Sequence, residues 1–589
     1  MPFDGLTINR LCFELNQILL NARIDKIHQP LKDELVFSIR QPGSGSFRLL
    51  LSANPRWARM HLTGEKQANP VNPPAFCMLL RKYLEGGKIQ KITQLDFDRI
   101  IHIEIEALDE YREWRKKILI CEFMGKHSNI ILIHPENQVI IDAIKKYGSE
   151  LSSFREVLPG KTYVRPSAQD KLNPLETSFD LFAKHFYRQG ENTSLPQALF
   201  RTFSGLSPFS CRQICLGAGL DENMAVEYCG AIELLHLYQY LQSILRSFNE
   251  DIIQAQLVYQ NQHPQDFAPY RIYSLPGSSI FFSGISEACQ RYYDDSLSIA
   301  RLESMKVNYA RQLKEILDRL HRKRFHQEGD LTQARDNKRY QVWGELLTAY
   351  AHEIKKGQTE VSLEDFYSKE PVEIKLDPMY TPIQNAQRYF KIYNKSTKAI
   401  KHLQLLMAKN NEEINYLESV LLSIEQAETL ELLEEVVEEL EKEHYLKEKG
   451  KKRRKEQMRS QPRSYLSSDG LTILVGRNNR QNDHLSLKQA ERGDLWLHTK
   501  EVPGTHVILK LPPQVHSIHD VPDRSLEEAA CLAALYSKAS QSDKVAVDYT
   551  FRSNVKKPAG ARPGMVIYDN YWTIMVNPRA IDPEKLHGA

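Results

Sequence analysis

IKHLQLLMAKNNEEINYLESVLLSIE, residues 400–425, decides how this chain of 589 residues is organised. Ile400, Leu403, Met407, Asn410, Ile414, Leu417, Leu421 and Ile424 recur at alternating steps of three and four. That is the a/d pattern of a coiled-coil seam, in which each apolar knob needs a facing helix. Leu302, Met305, Tyr309, Leu313, Ile316 and Leu320 have nearly the same spacing, so the two stretches can return on each other as an antiparallel hairpin. Short heptads also serve ordinary helix packing, so a bundle inside a larger globule stays open as the alternative. Asn410 at a seam position favours one register, because a buried amide tolerates only the pairing that satisfies it. Between the two stretches, Tyr340, Trp343, Leu347, Tyr350 and Ile354 are spaced as an amphipathic helix, and Gly357, Pro371, Pro378 and Pro382 then break the pattern. This predicts a small domain capping the hairpin, with the chain as a rod carrying a separate domain at each end.

The length exceeds what one core supports, so several domains are expected. Lys and Arg number 78 against 75 Asp and Glu. With a net charge of +3, nucleic-acid affinity has to come from local patches. Two blocks lie close together, acidic Glu434–Glu443 and basic Lys447–Lys455. Each reads as a solvated helix end or linker, and the basic one also as a phosphate contact. No apolar stretch reaches membrane-spanning length and the N-terminus lacks a charged-then-apolar signal pattern, which predicts a cytoplasmic protein without membrane contact. The eight cysteines are scattered, and Cys211 and Cys215 have no second pair to complete a zinc site. They read as reduced, mostly buried thiols, with no metal or cofactor expected.

The first 160 residues or so combine an amphipathic helix (Leu6, Leu11, Leu15, Ile18, Leu19) with short strands at 35–39, 47–51 and 59–62 around the Gly43-Ser44-Gly45 turn. Pro73-Pro74 and Gly86-Gly87 bracket a second helix. Strands at 99–106, 117–123, 129–133 and 139–144 complete an α+β domain. Two clusters here are more polar than packing requires. Asp96-Phe97-Asp98-Arg99 places an acid beside a base in a turn, and Glu122–Asn129 reads EFMGKHSN. Each can also be a plain turn with local hydrogen bonds.

Residues from about 170 to 292 look mainly helical, with Gly205–Leu220 (GLSPFSCRQICLGAGL) reading helix, turn, helix. The C-terminal part shows strands at 471–475, 495–498 and 506–509, and helices at 483–490 and 526–540. His498 and His506 lack a third ligand at useful spacing, so they read as hydrogen-bonding histidines. Arg477, Asn478, Asn479 and Arg480, with Lys488 and the run Tyr549–Gly564 containing Arg552, Lys556 and Lys557, collect cations and amides. Cations meet phosphates and amides meet bases or sugars, which suits RNA. A solubilising surface is the alternative. Trp496 either stacks on a base or packs in the core.

Phe3-Asp4-Gly5-Leu6, P-x-F-x-M-L-L-R-K-x-L at 74–84 and the two polar clusters resemble the N-terminal domain of the NFACT family. Gly205–Leu220 resembles its helix-hairpin-helix element, and Leu376–Lys395 resembles the entry into its second long helix. Gly476–Asn479, Gln481–Asp483, Asp494–His498 and Pro503–Val507 resemble its RNA-binding domain, with Thr505 where serine is more frequent. The resemblance implies a multidomain α+β chain: a glycosylase-like N-terminal α+β domain (1–168), a helix-hairpin-helix domain (169–292), a long antiparallel coiled coil with a small middle domain (293–457) and a C-terminal α/β RNA-binding domain (458–589).

Further, the resemblance implies that Asp98 and Arg99, with Asp4, engage tRNA. It implies RNA contacts at Arg477, Asn478, Asn479, Lys488, His498, His506, Arg552, Lys556 and Lys557. The implied partners are a large ribosomal subunit holding peptidyl-tRNA, an alanine-type tRNA, rRNA and an RqcP-like protein. The implied role is ribosome-associated quality control by non-templated alanine tailing, with the ribosome forming the peptide bonds, so that the chain is not itself an enzyme. Two other readings stay open, a fibronectin-binding adhesin and a DNA glycosylase using Pro2. Phe3 stands where the glycosylases place an acid after that proline, and no four-cysteine zinc element follows.

Overall fold

The computed structural model describes residues 3–586 apart from 110, 151–154, 167–169, 191, 251–253, 448–459 and 516. Pro2 and most of the Lys447–Lys455 run therefore lie outside the described residues. The architecture is multidomain α+β, in two compact units, Met1–Ile299 and Ala300–Ala589.

The first unit begins with α1 (Gly5–Leu19), capped by Asp4, whose carboxylate accepts the Thr7 N–H. Its buried Leu11, Leu15 and Leu19 follow helical spacing and face the sheet. The sheet has nine antiparallel strands in the order β4-β3-β2-β1-β5-β6-β7-β8-β9. These are β1 (Arg23–Leu31), β2 (Glu34–Gln41), β3 (Gly45–Ser52), β4 (Arg59–Leu62), β5 (Lys88–Gln94), β6 (Ile100–Leu108), β7 (Trp114–Glu122), β8 (Asn129–Ile133) and β9 (Ile140–Ala143), with α2 (Ala75–Leu84) between β4 and β5. Sequence reading finds the outer strands and misses the central pair. β1 (RIDKIHQPL) and β5 (KIQKITQ) each bury few apolar side chains, and pairing on both sides compensates for weak local propensity.

Four helices follow, α3 (Phe179–Phe186), α4 (Leu195–Thr202), α5 (Pro208–Gly217) and α6 (Ala231–Ser247). The helical hairpin is α4, a turn and α5, so Gly205–Leu220 holds one helix rather than two. The region is mainly helical as expected, and a three-stranded sheet that the sequence reading does not anticipate, β10 (Ala255–Gln260), β11 (His263–Ala268) and β12 (Ser278–Phe282), is added to it. Its tight turn uses Asn261 (φ 50°) and Gln262 (φ 62°), a two-residue hairpin turn without the usual glycine.

The helix α7 (Ile285–Asp336) runs 52 residues, longer than the seam spacing suggests, and is followed by α8 (Arg339–Ala349). In the second unit a β13 (Glu360–Glu364), β14 (Pro371–Lys375) hairpin packs on α8 and on the start of α9 (Pro382–Glu425). α9 opens with a Thr381/Gln384 capping box and Pro382 at its first position. α7 and α9 are antiparallel. The Asn410 amide donates to the Leu320 carbonyl at 3.1 Å and Asn337 to Ser396 at 3.0 Å. The seam buries Leu302, Tyr309, Leu313 and Leu317 against Ile414, Leu417, Val420 and Ile424. A third helix, α10 (Leu430–Lys442), joins it through Leu432, Leu433, Val436, Val437 and Leu440. The acidic run is thus one face of a packed helix, not a linker.

The C-terminal part is a six-stranded antiparallel sheet in the order β15-β16-β18-β17-β19-β22. Its chain order is β15 (Arg463–Leu466), β16 (Thr472–Val475), α11 (Asn479–His484), β17 (Leu495–Thr499), β18 (Val507–Leu509), α12 (Asp523–Leu535), β19 (Val545–Phe551), β20 (Val555–Lys556), β21 (Ile567–Tyr568) and β22 (Trp572–Val576). Ala529, Ala530, Ala533 and Ala534 let α12 lie close on one face. A π turn, Leu485–Gln489, covers the other with α11. All eight cysteines are buried. No helix among the described residues is long and apolar enough to cross a membrane.

Leu417 is 0% exposed in the seam, whereas Leu405 on the same helix is 55% exposed. Leu417→Ala is expected to destabilise the second unit by about 2–5 kcal/mol and Leu405→Ala by less than about 0.5 kcal/mol. Denaturant unfolding checks this, and equal midpoints for the two variants would mean that the seam runs elsewhere.

Candidate nucleic-acid interface

Three separate stretches meet at one junction of the first unit. Leu95–Asp98 forms a two-residue turn joining β5 to β6, closed by the Asp98 N–H donating to the Leu95 carbonyl at 2.8 Å. Its central residues, Asp96 (φ 47°) and Phe97 (φ 58°), are both left-handed. Phenylalanine pays a steric penalty there. What holds it is burial, since the Phe97 ring packs with Leu6, Phe203 and Leu206 in the helical core. Gly5 and Gly205 close on the turn's backbone. A Cβ on Gly205 would stand 1.9 Å from the Phe97 carbonyl oxygen, and one on Gly5 would stand 2.7 Å from it. The Gly5 N–H donates to the Gly205 carbonyl at 2.6 Å. Asp4 is buried, capping α1 while accepting the Ser207 hydroxyl at 2.7 Å. It organises the junction from inside and offers no solvent-facing oxygen to a ligand.

Asp98 and Arg99 follow this pinned turn and are both half-buried. The Asp98 carboxylate accepts the Arg99 backbone N–H at 2.7 Å, and Gln94 donates to the carbonyls of Asp98 (3.0 Å) and Gly5 (2.9 Å). The Arg99 guanidinium has no hydrogen-bond or ion-pair partner among the described residues. Nearby, Arg165 pairs with Asp96 at 2.8 Å. The Lys171 ammonium lies 4.1 Å from the Phe200 ring centre. Burial lowers the Lys171 pKa, and Arg99 lowers it further while Cys211 and Asp98 oppose this. A fork of five N–H donors left open, with the Lys171 ammonium in electrostatic reach, is suited to a phosphate or a base edge. Sequence reading misses Arg165 and Lys171, which are remote in sequence and carry no motif.

The EFMGKHSN cluster is built mostly inward. Arg155 donates to both carboxylate oxygens of the fully buried Glu122, at 2.7 and 2.6 Å, and Tyr163 adds a third bond at 2.8 Å. The Lys145 ammonium donates to the carbonyl of Ser128 at 2.9 Å. Lys126 and His127 alone in this cluster are exposed.

In the second unit the amide and cation cluster faces protein. Asn478 caps α11 and donates to Glu435 of α10 at 2.8 Å. Asn479 donates to Glu439 at 3.1 Å and to the Ser419 hydroxyl at 3.0 Å, and Tyr416 donates to Glu439 at 3.0 Å. Burial raises the Glu439 pKa against these bonds. Arg463 meets Glu428 at 2.8 Å, Arg477 meets the same carboxylate at 3.7 Å, and Arg480 meets Glu438 at 3.4 Å. Arg562 lies over the rings of Tyr416 and Tyr445. The expected RNA face at Arg477, Asn478 and Asn479 is therefore a seam that docks this domain on α9 and α10.

Trp496 is 0% exposed, which settles it as core. His506 is buried beside it and shares the Ser486 hydroxyl with the Trp496 indole N–H, at 2.8 and 3.0 Å. His498 is half-buried, its ring centre 5.8 Å from that of Trp496 and 5.5 Å from that of His506. Burial pushes the two imidazoles down, His498 to about 4 and His506 to about 3. Both are neutral at pH 7. Arg552 donates to the carbonyls of Ser486 (2.8 Å) and Leu487 (2.9 Å), tying down the π turn. Lys557 pairs with Asp483. Lys488 and Lys556 remain exposed, Lys556 at 3.7 Å from the equally exposed Asp569.

Comparison with known proteins adds the following. A family model described as NFACT N-terminal and middle domains matches residues 4–459, and one described as NFACT protein RNA binding domain matches residues 461–570. The chain is 36% identical over 585 residues to the Rqc2 homolog RqcH of Bacillus subtilis (strain 168), covering 98% of each chain. It is also 36% identical over 583 residues to the Rqc2 homolog RqcH of Streptococcus suis (strain 05ZYH33), again covering 98% of each. Among solved structures, the N-terminal part of the fibronectin/fibrinogen-binding protein of Streptococcus suis is 33% identical, with a TM-score of 0.42, covering 50% of this chain and 99% of that one.

The low imidazole pKa of His506 gives a signed pH effect. Below the ordinary value of 6.5 the unfolded chain takes up a proton that the folded chain refuses down to about 3. Stability from this site is complete above pH 6.5 and is lost as pH falls towards 3. In melts from about pH 7.5 to 4.5, His506→Asn is expected to lose up to about 2–3 kcal/mol less than wild type across that range. Parallel pH slopes for the two proteins would refute it.

Proposed function

The chain belongs to the NFACT family, and from that premise we propose that it is a factor of ribosome-associated quality control. In this reading it binds large ribosomal subunits obstructed by peptidyl-tRNA, recruits alanyl-tRNA and directs addition of C-terminal alanines without a message. Peptide bonds are made by ribosomal RNA, so the chain positions substrates and is not itself an enzyme. An RqcP-like RNA-binding protein is the expected partner, and the cytoplasm the expected place of action.

The observation that carries the reading is the open Arg99 fork beside Asp98, mounted on a backbone turn that two glycines and a buried phenylalanine immobilise. Recognition of a nucleotide gains from such preorganisation, because little freedom is lost on binding. Lys171 adds positive charge within electrostatic reach of Arg99, while the charge of Arg165 is balanced by Asp96. In the C-terminal domain, Lys488 and Lys556 are the cations of the expected RNA set left facing solvent, and they support a lesser, sequence-independent RNA contact there.

The test uses purified protein, obstructed large subunits and alanyl-tRNA. Asp98→Ala with Arg99→Ala is expected to abolish tRNA recruitment and tailing while co-sedimentation with subunits persists. Unchanged tailing by the folded double variant would sink the reading. Gly205→Ala leaves Asp98 and Arg99 in place but drives a methyl into the Phe97 carbonyl. It is expected to weaken tRNA binding by tenfold or more, about 1.4 kcal/mol, with a lowered melting temperature. Full tRNA affinity in Gly205→Ala would show that the turn need not be rigid. A fibronectin-capture assay and a nicking assay on damaged duplex DNA, run with the same preparation, address the adhesin and glycosylase readings.

A further inference from the structure

From Pro378 to Asn411 the chain contains no Asp or Glu, and most of this stretch is the first half of α9. Four of its six Lys and Arg residues are aligned, Arg388 and Lys401 lying off the row. Lys391, Lys395, Lys398 and His402 follow steps of four, three and four, and Lys409 comes seven later. At 3.6 residues per turn these five positions form one stripe, about 27 Å long from end to end. Leu403 and Met407, half-buried, and Asn410, bonded to the Leu320 carbonyl, lie on the other side of the helix. All five stripe residues are exposed, and none has a hydrogen-bond or ion-pair partner among the described residues.

This is not how the surrounding charges are arranged. Lys314 of α7 meets Glu425, Arg388 meets Asp377, and Lys538 meets Glu418 near the C-terminal end of α9. A solvated helix face ordinarily mixes signs, because like charges four residues apart weaken a helix and opposite ones support it. From Lys391 to His402 the row has no acid within four residues on its own helix, and Lys409 alone has Glu412 and Glu413 within a turn, so the row carries like charge that a polyanion would neutralise.

We propose that this outer face of α9, from Lys391 to Lys409, binds the phosphate backbone of an RNA duplex. The choice of RNA as the polyanion rests on the function proposed above. Three features favour it over an acidic protein. The cations are lysines, compact point charges suited to phosphate without base selection. The four-residue steps place charges about 6 Å apart along a straight line, which a regular helical backbone can follow. The stripe also offers only Leu405 as an apolar side chain, whereas protein partners need buried aromatic or aliphatic anchors beside the charges.

The experiment titrates the full chain with a duplex fragment of large-subunit rRNA, and separately with tRNA, at several salt concentrations from about 50 to 200 mM. The variant replaces Lys391, Lys395, Lys398 and Lys409 by Gln. Its control replaces Lys66 and Lys116, exposed lysines of the first unit, by Gln. Each neutralised phosphate contributes about 0.9 to the slope of log K against log salt, so the variant's slope should be shallower by about 3 to 4. Its affinity should fall tenfold or more, while the control and the four-fold Lys→Arg variant match wild type.

Should the four-fold Gln variant lose helicity, the pairs Lys391/Lys395 and Lys398/Lys409 are measured separately, each expected to give about half the slope change. A loss confined to the rRNA duplex or to tRNA names the source of the phosphates. Wild-type slope and affinity in the Gln variants overturn the proposal. If subunit co-sedimentation fails in those variants while RNA titrations do not change, the face takes a protein, and the proposal is equally overturned. Wild-type protein that ignores obstructed subunits yet binds RNA through the stripe would overturn the proposed function and leave the stripe standing.

Discussion

A carbonyl oxygen held where no side chain fits is the constraint on which the first unit depends. The Phe97 oxygen lies within 1.9 Å of where a Cβ of Gly205 would be and 2.7 Å of where one of Gly5 would be. Three distant parts of the chain, the start of α1, the β5–β6 turn and the α4–α5 turn, come together only because both residues are glycine. Asp4 then bridges α1 to α5 through Thr7 and Ser207. The left-handed Phe97 costs about 1–3 kcal/mol, and burying its ring returns a similar amount. The turn is therefore stable in the assembled unit and not before it. Asp98 and Arg99 inherit their positions from that assembly.

The second unit is organised by carboxylates. Glu428, Glu435, Glu438 and Glu439 on or beside α10 receive Arg463, Arg477, Arg480, Asn478 and Asn479 from the C-terminal domain. The deepest of these contacts uses an amide rather than a cation. An Asn donor satisfies the buried Glu439 without bringing a second charge out of water, and charge desolvation is the larger cost. Asn478 does two jobs with one side chain. Its oxygen caps α11 and its nitrogen holds Glu435. Removing it would open the helix start and the docking seam together.

The heptads of α7 and α9 are legible because a 3.5-residue repeat over many turns has few other readings, and the antiparallel pairing follows from it. The seam differs in detail, Leu317 being buried where Ile316 and Leu320 are only partly so, because α10 widens the apolar face. α10 itself is hidden by composition. Its glutamates dominate the count, while Leu433, Val436, Val437 and Leu440 carry the helical period. The central strands β1 and β5 are illegible locally, since their stability comes from neighbours on both sides. Asp98 and Arg99 are found through their chemistry, but the left-handed Phe97 that aims them is not, phenylalanine being a poor choice for that conformation. Asn478 and Asn479 show the limit most clearly. Amide chemistry announces a polar partner, and nothing local says that it lies about forty residues away on another helix.

A net charge of +3 understates how the molecule presents itself to a polyanion. Residues 412–443 contain twelve glutamates against a single lysine, Lys442. Several of those glutamates are engaged by the arginines and asparagines of the docking seam, so they contribute little to the field outside. The lysines of the α9 stripe have no such partners. Lys391 to His402 lie about 15–30 Å along the helix from Glu412, beyond the screening length of about 8 Å at physiological salt, while Lys409 lies within one turn of it. Apart from Lys409 at the boundary, the acidic and basic blocks of α9 therefore act as separate surfaces, and cancellation in the sum is no cancellation in space. A nearly neutral chain can keep the C-terminal domain docked by attraction between its own charges while leaving a cationic surface free, because the two are segregated along one helix.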